Sequence, residues 1–141
     1  MIRIGILGSD SSHSLAFAKL CNIPDKRTGE FTFPDIRITT IYGHDEVQTK
    51  HVALEGCIKT IAATPDEMLE NVDAAMILFR DGNLHVSYAL PFIKANIPVW
   101  IDKPFTVNIE DAKILLAEAN KHNSLITGGS TCKYSHDVLN L

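Results

Sequence analysis

The segment Asp73-Ala74-Ala75-Met76-Ile77-Leu78-Phe79 constrains the fold more than any other stretch. Its apolar residues run on without alternation, so a strand made from it buries both faces. A sheet buried on both faces needs helices above and below, and parallel strands joined by helical crossovers supply them. The rest of the chain repeats that unit. Ile2 to Leu7, Ile36 to Tyr42, Ile97 to Ile101 and Ser124 to Thr127 read as strands, with Cys57 to Ile61 as a short edge strand. Helical spacing is expected over His13 to Cys21, Asp45 to Leu54, His85 to Ala95 and from Asn108 onward, where Ile109, Ala112, Leu115, Leu116 and Ala119 form an apolar stripe. Thr64-Pro65-Asp66-Glu67 starts another short helix ending near Asn71, with Thr64 as cap, Pro65 in the first turn and Glu67 reaching back to the cap. Asn22 to Pro34 is a loop, marked by Pro24, Gly29 and Pro34. The expected fold class is α/β: a doubly wound parallel sheet of about six strands with helices on both faces.

At 141 residues the chain is long enough for one such domain with a proper core. Lys and Arg number 13 against 17 Asp and Glu, a net charge of −4 with no basic stripe, which argues against nucleic acid or an anionic membrane as partner. The three cysteines, Cys21, Cys57 and Cys132, are far apart and show neither a disulfide framework nor zinc-ligand spacing. The histidines share no metal spacing either, so no metal is expected. Met1 to Gly8 is too short and too punctuated by glycine for a signal peptide, and no apolar run is long enough to span a membrane. A cytoplasmic protein with reduced thiols is the expectation.

Ligands bind such sheets at the carboxyl ends of the strands, where the strand order reverses. Right-handed crossovers bring strands one and four together at that point. Three turns then line one crevice: Gly8-Ser9-Asp10-Ser11-Ser12, Phe79-Arg80-Asp81-Gly82 and Asp102-Lys103-Pro104. Ser9, Ser11 and Ser12 are suited to hydrogen-bond a phosphate at the start of the first helix, and Asp10, Ser11 or Ser12 equally to cap it. His13 is either a first-turn residue of that helix or a ligand of the bound cofactor. Arg80 is placed to meet phosphate or substrate, or to be a solvated turn residue. His85 is either a site-lining group or a helix-start residue satisfying its own turn.

Ile4-Gly5-Ile6-Leu7-Gly8, Val72-Asp73-Ala74-Ala75-Met76-Ile77, His85 and Asp102-Lys103-Pro104, in that order, resemble the N-terminal half of the Gfo/Idh/MocA oxidoreductases, relatives of glucose–fructose oxidoreductase and inositol dehydrogenase. The resemblance covers nearly the whole chain. It implies a Rossmann-like domain over residues 1–129 that binds NAD or NADP, with residues 130–141 opening a truncated substrate domain, where Lys133-Tyr134 resembles an Arg-Tyr pair of the family. Lys103 matches the lysine of the family's Glu-Lys-Pro motif, between nicotinamide and substrate, where a lysine can donate to the reacting oxygen. The proline of such proteins often follows a cis peptide. His85 and Asp102 would shape the nicotinamide side, and Phe79, Arg80 and Pro104 are further cofactor-binding candidates. The substrate implied is a small sugar-like or polyol-like alcohol. The oligomer state is left open between a monomer and a homo-oligomer formed through the second domain.

The chain departs from the family pattern in three places. Of the G-x-G-x-x-G fingerprint, which would run Gly8 to His13, the first glycine alone survives. Asp10 stands at the second glycine and would set a negative charge beside a diphosphate. Gly43 ends the second strand where an acid would clasp the ribose; Gly43-His44 suits the 2′-phosphate of NADP, and Asp45 suits the ribose of NAD as a displaced acceptor. Asp102 replaces glutamate. The expectation is the nucleotide-binding half of an NAD(P)-dependent oxidoreductase, inactive alone because the proton-transfer residue of the family usually lies in the second domain. The alternatives are a degenerate Rossmann module that binds or senses a ligand without redox chemistry, and a structural fragment serving assembly.

Overall fold

A computed structural model describes residues 1–130 and 135–139. Six parallel strands form one sheet: β1 (Ile2–Leu7), β2 (Ile36–Tyr42), β3 (Thr60–Ile61), β4 (Ala74–Ile77), β5 (Val99–Ile101) and β6 (Ile126–Gly128), in the order β3-β2-β1-β4-β5-β6. The order reverses between β1 and β4, which is the doubly wound arrangement with its switch point. The helices are α1 (Ser12–Asn22), α2 (Glu46–Glu55), α3 (His85–Lys94), α4 (Ile109–His122) and the short α5 (His136–Leu139). None of the described helices is long and apolar enough to cross a membrane.

Adjacent residues of β1 show how the layers are built. Ile6 belongs to a core with Ala18 and Cys21 of α1 and Val52 and Ala53 of α2. Leu7 belongs to a second core with Ala89, Phe92 and Ile93 of α3 and Leu115 and Ala119 of α4. Successive strand residues point to opposite faces, so the two cores lie on opposite sides of the sheet. Ile77 and Leu78 divide in the same way, which is why the Asp73 to Phe79 run is apolar throughout.

Four local expectations are corrected. The edge strand is Thr60–Ile61 alone rather than Cys57 to Ile61. The segment after Thr64 is one 3₁₀ turn, Pro65–Met68, and Thr64 makes no side-chain cap. The Glu67 carboxylate reaches one residue further back and accepts from the amide of Ala63 at 2.9 Å. On α4 the buried stripe is narrow: Leu115 and Ala119 are buried, whereas Ile109 and Leu116 are 73% and 50% exposed. Leu116 lies about a hundred degrees round the helix from Leu115, outside the contact with α3. Cys132 and Lys133-Tyr134 lie outside the described residues.

Candidate active site at the switch point

Strand register sets the rim of the site. Tyr42, Leu7, Ile77, Ile101 and Gly128 are paired in one row across β2, β1, β4, β5 and β6. The residues that follow them, Gly43, Gly8, Leu78, Asp102 and Gly129, begin the turns at the carboxyl edge. Ladder bonds continue one step into these turns: Gly8 N donates to Tyr42 O at 2.8 Å, Leu78 N to Leu7 O at 2.7 Å and Asp102 N to Ile77 O at 3.0 Å. The three predicted turns therefore meet on one edge.

Gly8 has φ +108°, and a Cβ there would lie 2.5 Å from the amide nitrogen of Phe79. No other residue allows β1 to turn this close to the end of β4. Ser11 is the cap of α1, its Oγ accepting from His13 N at 3.2 Å. Ser14 Oγ donates to Gly8 O at 2.6 Å from a fully buried position, so a serine holds helix against turn where the fingerprint would use a glycine at His13. Ser9 is also buried, and its Oγ is 2.8 Å from Thr49 Oγ1 of α2. Its side chain thus faces the protein interior rather than a phosphate. Ser12 is exposed at the first helical position.

Asp10 is exposed, and its Oδ2 accepts from the backbone amide of Arg80 at 3.2 Å. It ties the first turn to the turn after β4 and does not cap α1. The Arg80 side chain is exposed.

His13 projects from α1 to the end of β5, where Nδ1 lies 2.6 Å from Oδ2 of Asp102. The Asp102 side chain is 6% exposed and the His13 side chain 41%. Phe17, one turn on, meets the His13 ring edge to face at 6.0 Å. Lys103 is exposed beside this pair, and the Lys103-Pro104 peptide is cis. Pro104 packs over Gly82, where a Cβ would lie 2.7 Å from Pro104 Cγ. The turns after β4 and β5 are therefore seated on each other. Asp81 caps the 3₁₀ turn Gly82–Leu84, accepting from Asn83 N at 2.9 Å. That backbone bond, with the Asn83 side-chain amide, holds the Asp81 carboxyl below its ordinary range.

His85 is fully buried, with Nε2 2.8 Å from Phe79 O and Nδ1 3.4 Å from Phe105 O. It joins both turns from beneath rather than satisfying its own helix start.

The far end of the crevice is aromatic. His44 Nε2 is 2.6 Å from the Tyr88 hydroxyl, and the His44 ring lies 5.1 Å from Phe79. Phe79 and Tyr88 are 4.5 Å apart, and Tyr42 closes the cluster 5.9 Å from Tyr88. Burial, then the neighbouring Tyr42 hydroxyl, pushes the Tyr88 phenol up to about 12. Asp45 Oδ1 caps α2, accepting from Gln48 N at 2.9 Å, so this carboxylate is already engaged. A side chain at Gly43 would run into the hydroxyls of Ser9 and Thr49, so an acid at the usual ribose-clasping place would require that buried pair to shift. Beside these residues a cavity of about 430 Å³ is lined by Gly43, His44, Glu46, Thr49, Ile61 and Ala63.

Four contributors escape a sequence reading: Ser14, Thr49, Tyr42 and Tyr88. Tyr88 sits one turn after His85 on the same helix, which is the single local signal for any of them.

A dinucleotide fits this edge in three respects: the glycine turn at Gly8, the positive end of α1 above it, and the cavity beyond β2. Asp10 opposes it by adding a negative charge to the phosphate turn. Among the described residues, no cluster of His, Cys, Asp and Glu could hold a metal ion.

Residues 2–130 match the family model described as an oxidoreductase family with an NAD-binding Rossmann fold, GFO_IDH_MocA. No curated protein matches the chain in sequence. Solved structures of similar fold include a probable dehydrogenase from Thermotoga maritima, at TM-score 0.78 and 21% identity, covering 94% of this chain and 37% of that one. A putative myo-inositol dehydrogenase from Sinorhizobium meliloti 1021 aligns at TM-score 0.76 and 16% identity over 96% of this chain and 38% of its own. GenD2 from gentamicin A biosynthesis, in complex with NAD, aligns at 0.78 and 18% over 99% and 37%. The chain thus spans under two-fifths of the length of these structures.

Proposed function

The chain belongs to the Gfo/Idh/MocA oxidoreductase family, and from that premise we propose that it is the nucleotide-binding part of an NAD(P)-dependent oxidoreductase acting on a sugar-like or polyol-like alcohol. The observation that carries this reading is the meeting of Gly8, Phe79 and Asp102-Lys103 on one rim at the switch point. In this reading residues 1–129 are the nucleotide-binding domain and 130–141 lead into a substrate domain. Turnover and substrate choice belong to the whole protein. The solved neighbour described as a putative myo-inositol dehydrogenase supports the alcohol class. A cytoplasmic setting suits the free thiols Cys21 and Cys57.

The residues divide the work. Gly8 and the start of α1 hold the diphosphate through backbone amides and the helix dipole. His44, Phe79 and Tyr88 wall the adenosine end. Nicotinamide, when bound, supplies the hydride-accepting carbon. Lys103, exposed at the end of β5, donates to the substrate oxygen and stabilises the charge that develops there. Asp102 holds the turn that carries Lys103 through His13, and His85 supports it from beneath, donating to Phe79 O with its other nitrogen beside Phe105 O.

Asp45 and Glu46 place two acids beyond β2, and Glu46 is bridged to Lys50. A 2′-phosphate would meet that acidic end, so NAD is favoured over NADP. Calorimetric titration with NADH and NADPH tests the proposal: saturable binding, tighter for NADH, is expected, and binding of neither overturns it. The second reading, a Rossmann module that binds or senses another ligand, draws on Asp10, whose charge stands at the diphosphate turn, and on the two fingerprint glycines replaced by Asp10 and His13.

A further inference from the structure

His13 and Asp102 meet across 89 positions of sequence, and their chemistry goes beyond holding a loop. Asp102 is buried at the strand end, so its carboxylate needs a partner, and Nδ1 of His13 is that partner at 2.6 Å. A carboxylate accepts, so the Nδ1–H proton is directed at it and the Nε2 lone pair is left outward. Nε2 has no hydrogen-bond partner among the described residues, and two-fifths of the His13 side chain remains exposed. Phe17 fixes the ring from the next turn of α1. The exposed lysine that follows Asp102 stands at the same strand end.

We infer that His13 and Asp102 are a proton-accepting couple of the candidate active site, built within this domain and taking the hydroxyl proton of an alcohol substrate. The inference rests on the oxidoreductase reading above. In the direction of oxidation, the C–H electron pair leaves the carbinol carbon as hydride to the oxidised nicotinamide. The O–H pair becomes the second C–O bond. The released proton is taken on Nε2 of His13, and Asp102 balances the imidazolium charge. Lys103 holds the oxygen while this happens. Family members usually place the proton-transferring residue in the second domain, so this couple is a distinct arrangement.

Carbethoxylation of histidines by diethyl pyrocarbonate, followed site by site by mass spectrometry near pH 8, tests the couple on this chain. His51, exposed on α2, is the internal reference. His13 is expected to react several-fold faster than His51, because the paired carboxylate polarises the ring toward Nε2. Asp102→Asn is expected to bring His13 down to the reference rate, and Asp102→Glu to restore most of the difference. Circular dichroism identifies a variant that fails to fold, and the glutamate variant then carries the comparison. Saturating NADH is expected to slow modification of His13 and leave His51 unchanged. Equal rates for His13 and His51 overturn the couple. Bound NADH without protection of His13 removes it from the cofactor crevice and overturns the inference while leaving the oxidoreductase reading intact. A fast His13 in a chain that binds neither NADH nor NADPH overturns the dinucleotide reading, and the couple's role as acceptor of an alcohol proton falls with it, leaving a polarised histidine–carboxylate pair.

Discussion

Nδ1 of His13 and Oδ2 of Asp102, 2.6 Å apart, link the first turn of α1 to the end of β5 across the mouth of the switch point. The link joins the two halves of the doubly wound sheet, since α1 follows β1 and Asp102 follows β5. Asp102 is buried, so the bond has a structural cost of removal as well as a chemical use. His13→Ala is expected to leave a buried carboxylate without this partner and to destabilise the fold by about 2 kcal/mol. Urea unfolding followed by circular dichroism measures it, and an unchanged midpoint would show that water replaces the imidazole.

Histidine 85 and lysine 103 should behave in opposite ways. His85 is fully buried and donates to a backbone carbonyl of the turn after β4. His85→Ala removes that bond and leaves a cavity, with an expected loss of about 3 kcal/mol. Lys103 is exposed at the strand end, so Lys103→Ala should change stability by no more than about 0.5 kcal/mol. If Lys103→Ala lowered the melting temperature strongly, the lysine would be a structural residue and its proposed role would fall.

The Arg3–Asp73 pair gives the fold an acid limb. Hydrogen bonds from the Arg3 side chain and backbone lower the Asp73 carboxyl from 3.8 to about 2. A depressed carboxyl contributes stability that is complete above the unfolded value and lost as pH falls through the folded one. Wild type and Asp73→Asn should therefore differ in stability above about pH 4 and converge near pH 2. Both partners are roughly two-fifths exposed, so added salt should narrow the difference. Denaturation series at several pH values would show this, and parallel curves down to pH 2 would refute it.

The aromatic cluster gives an alkaline limb. Tyr88 is pushed up to about 12 by burial and by Tyr42. Its neutral form is the one the fold favours, so the stability it contributes is complete below its ordinary value of 10 and lost as pH rises through about 12. Tyrosinate absorbance should show one late-titrating tyrosine that disappears in Tyr88→Phe. If the phenylalanine variant keeps the late step, another tyrosine is the buried one.

The framework was legible because its signals are local. β1 and β2 begin and end where their apolar runs do, and Ser11, Asp45 and Asn108 cap helices from positions that short polar side chains favour. The placement of Gly8, Asp102 and Lys103 on one rim followed from crossover handedness. The contacts that give the site its character are not local. Ser9 looked like a phosphate ligand until Thr49, 40 positions away, claimed its hydroxyl. His13 and Asp102 have no spacing that announces them. Glu67 missed Thr64 because a 3₁₀ turn winds more tightly than the α-helix a capping box assumes.

Asp10 decides between the two readings of the crevice. Its Oδ2 accepts from the Arg80 amide at 3.2 Å, which holds a carboxylate at the mouth of the diphosphate turn. At a separation of several ångströms, partly in water, one such charge opposes a diphosphate by roughly 1 kcal/mol or more, several-fold in dissociation constant. Asp10→Gly removes the charge and also restores the second glycine of the fingerprint, so the backbone can approach the ligand. The variant is expected to bind NADH several-fold more tightly than wild type, with the gap shrinking as salt is raised. It should also lose a little stability, because the Arg80 amide returns to water. Tighter binding at low salt alone would mark the effect as electrostatic. Tighter binding at all salt concentrations would assign it to backbone approach. Unchanged affinity would mean that Asp10 acts as a tie between the two turns and stands clear of the cofactor, and the case for a module that refuses dinucleotides would lose its electrostatic support.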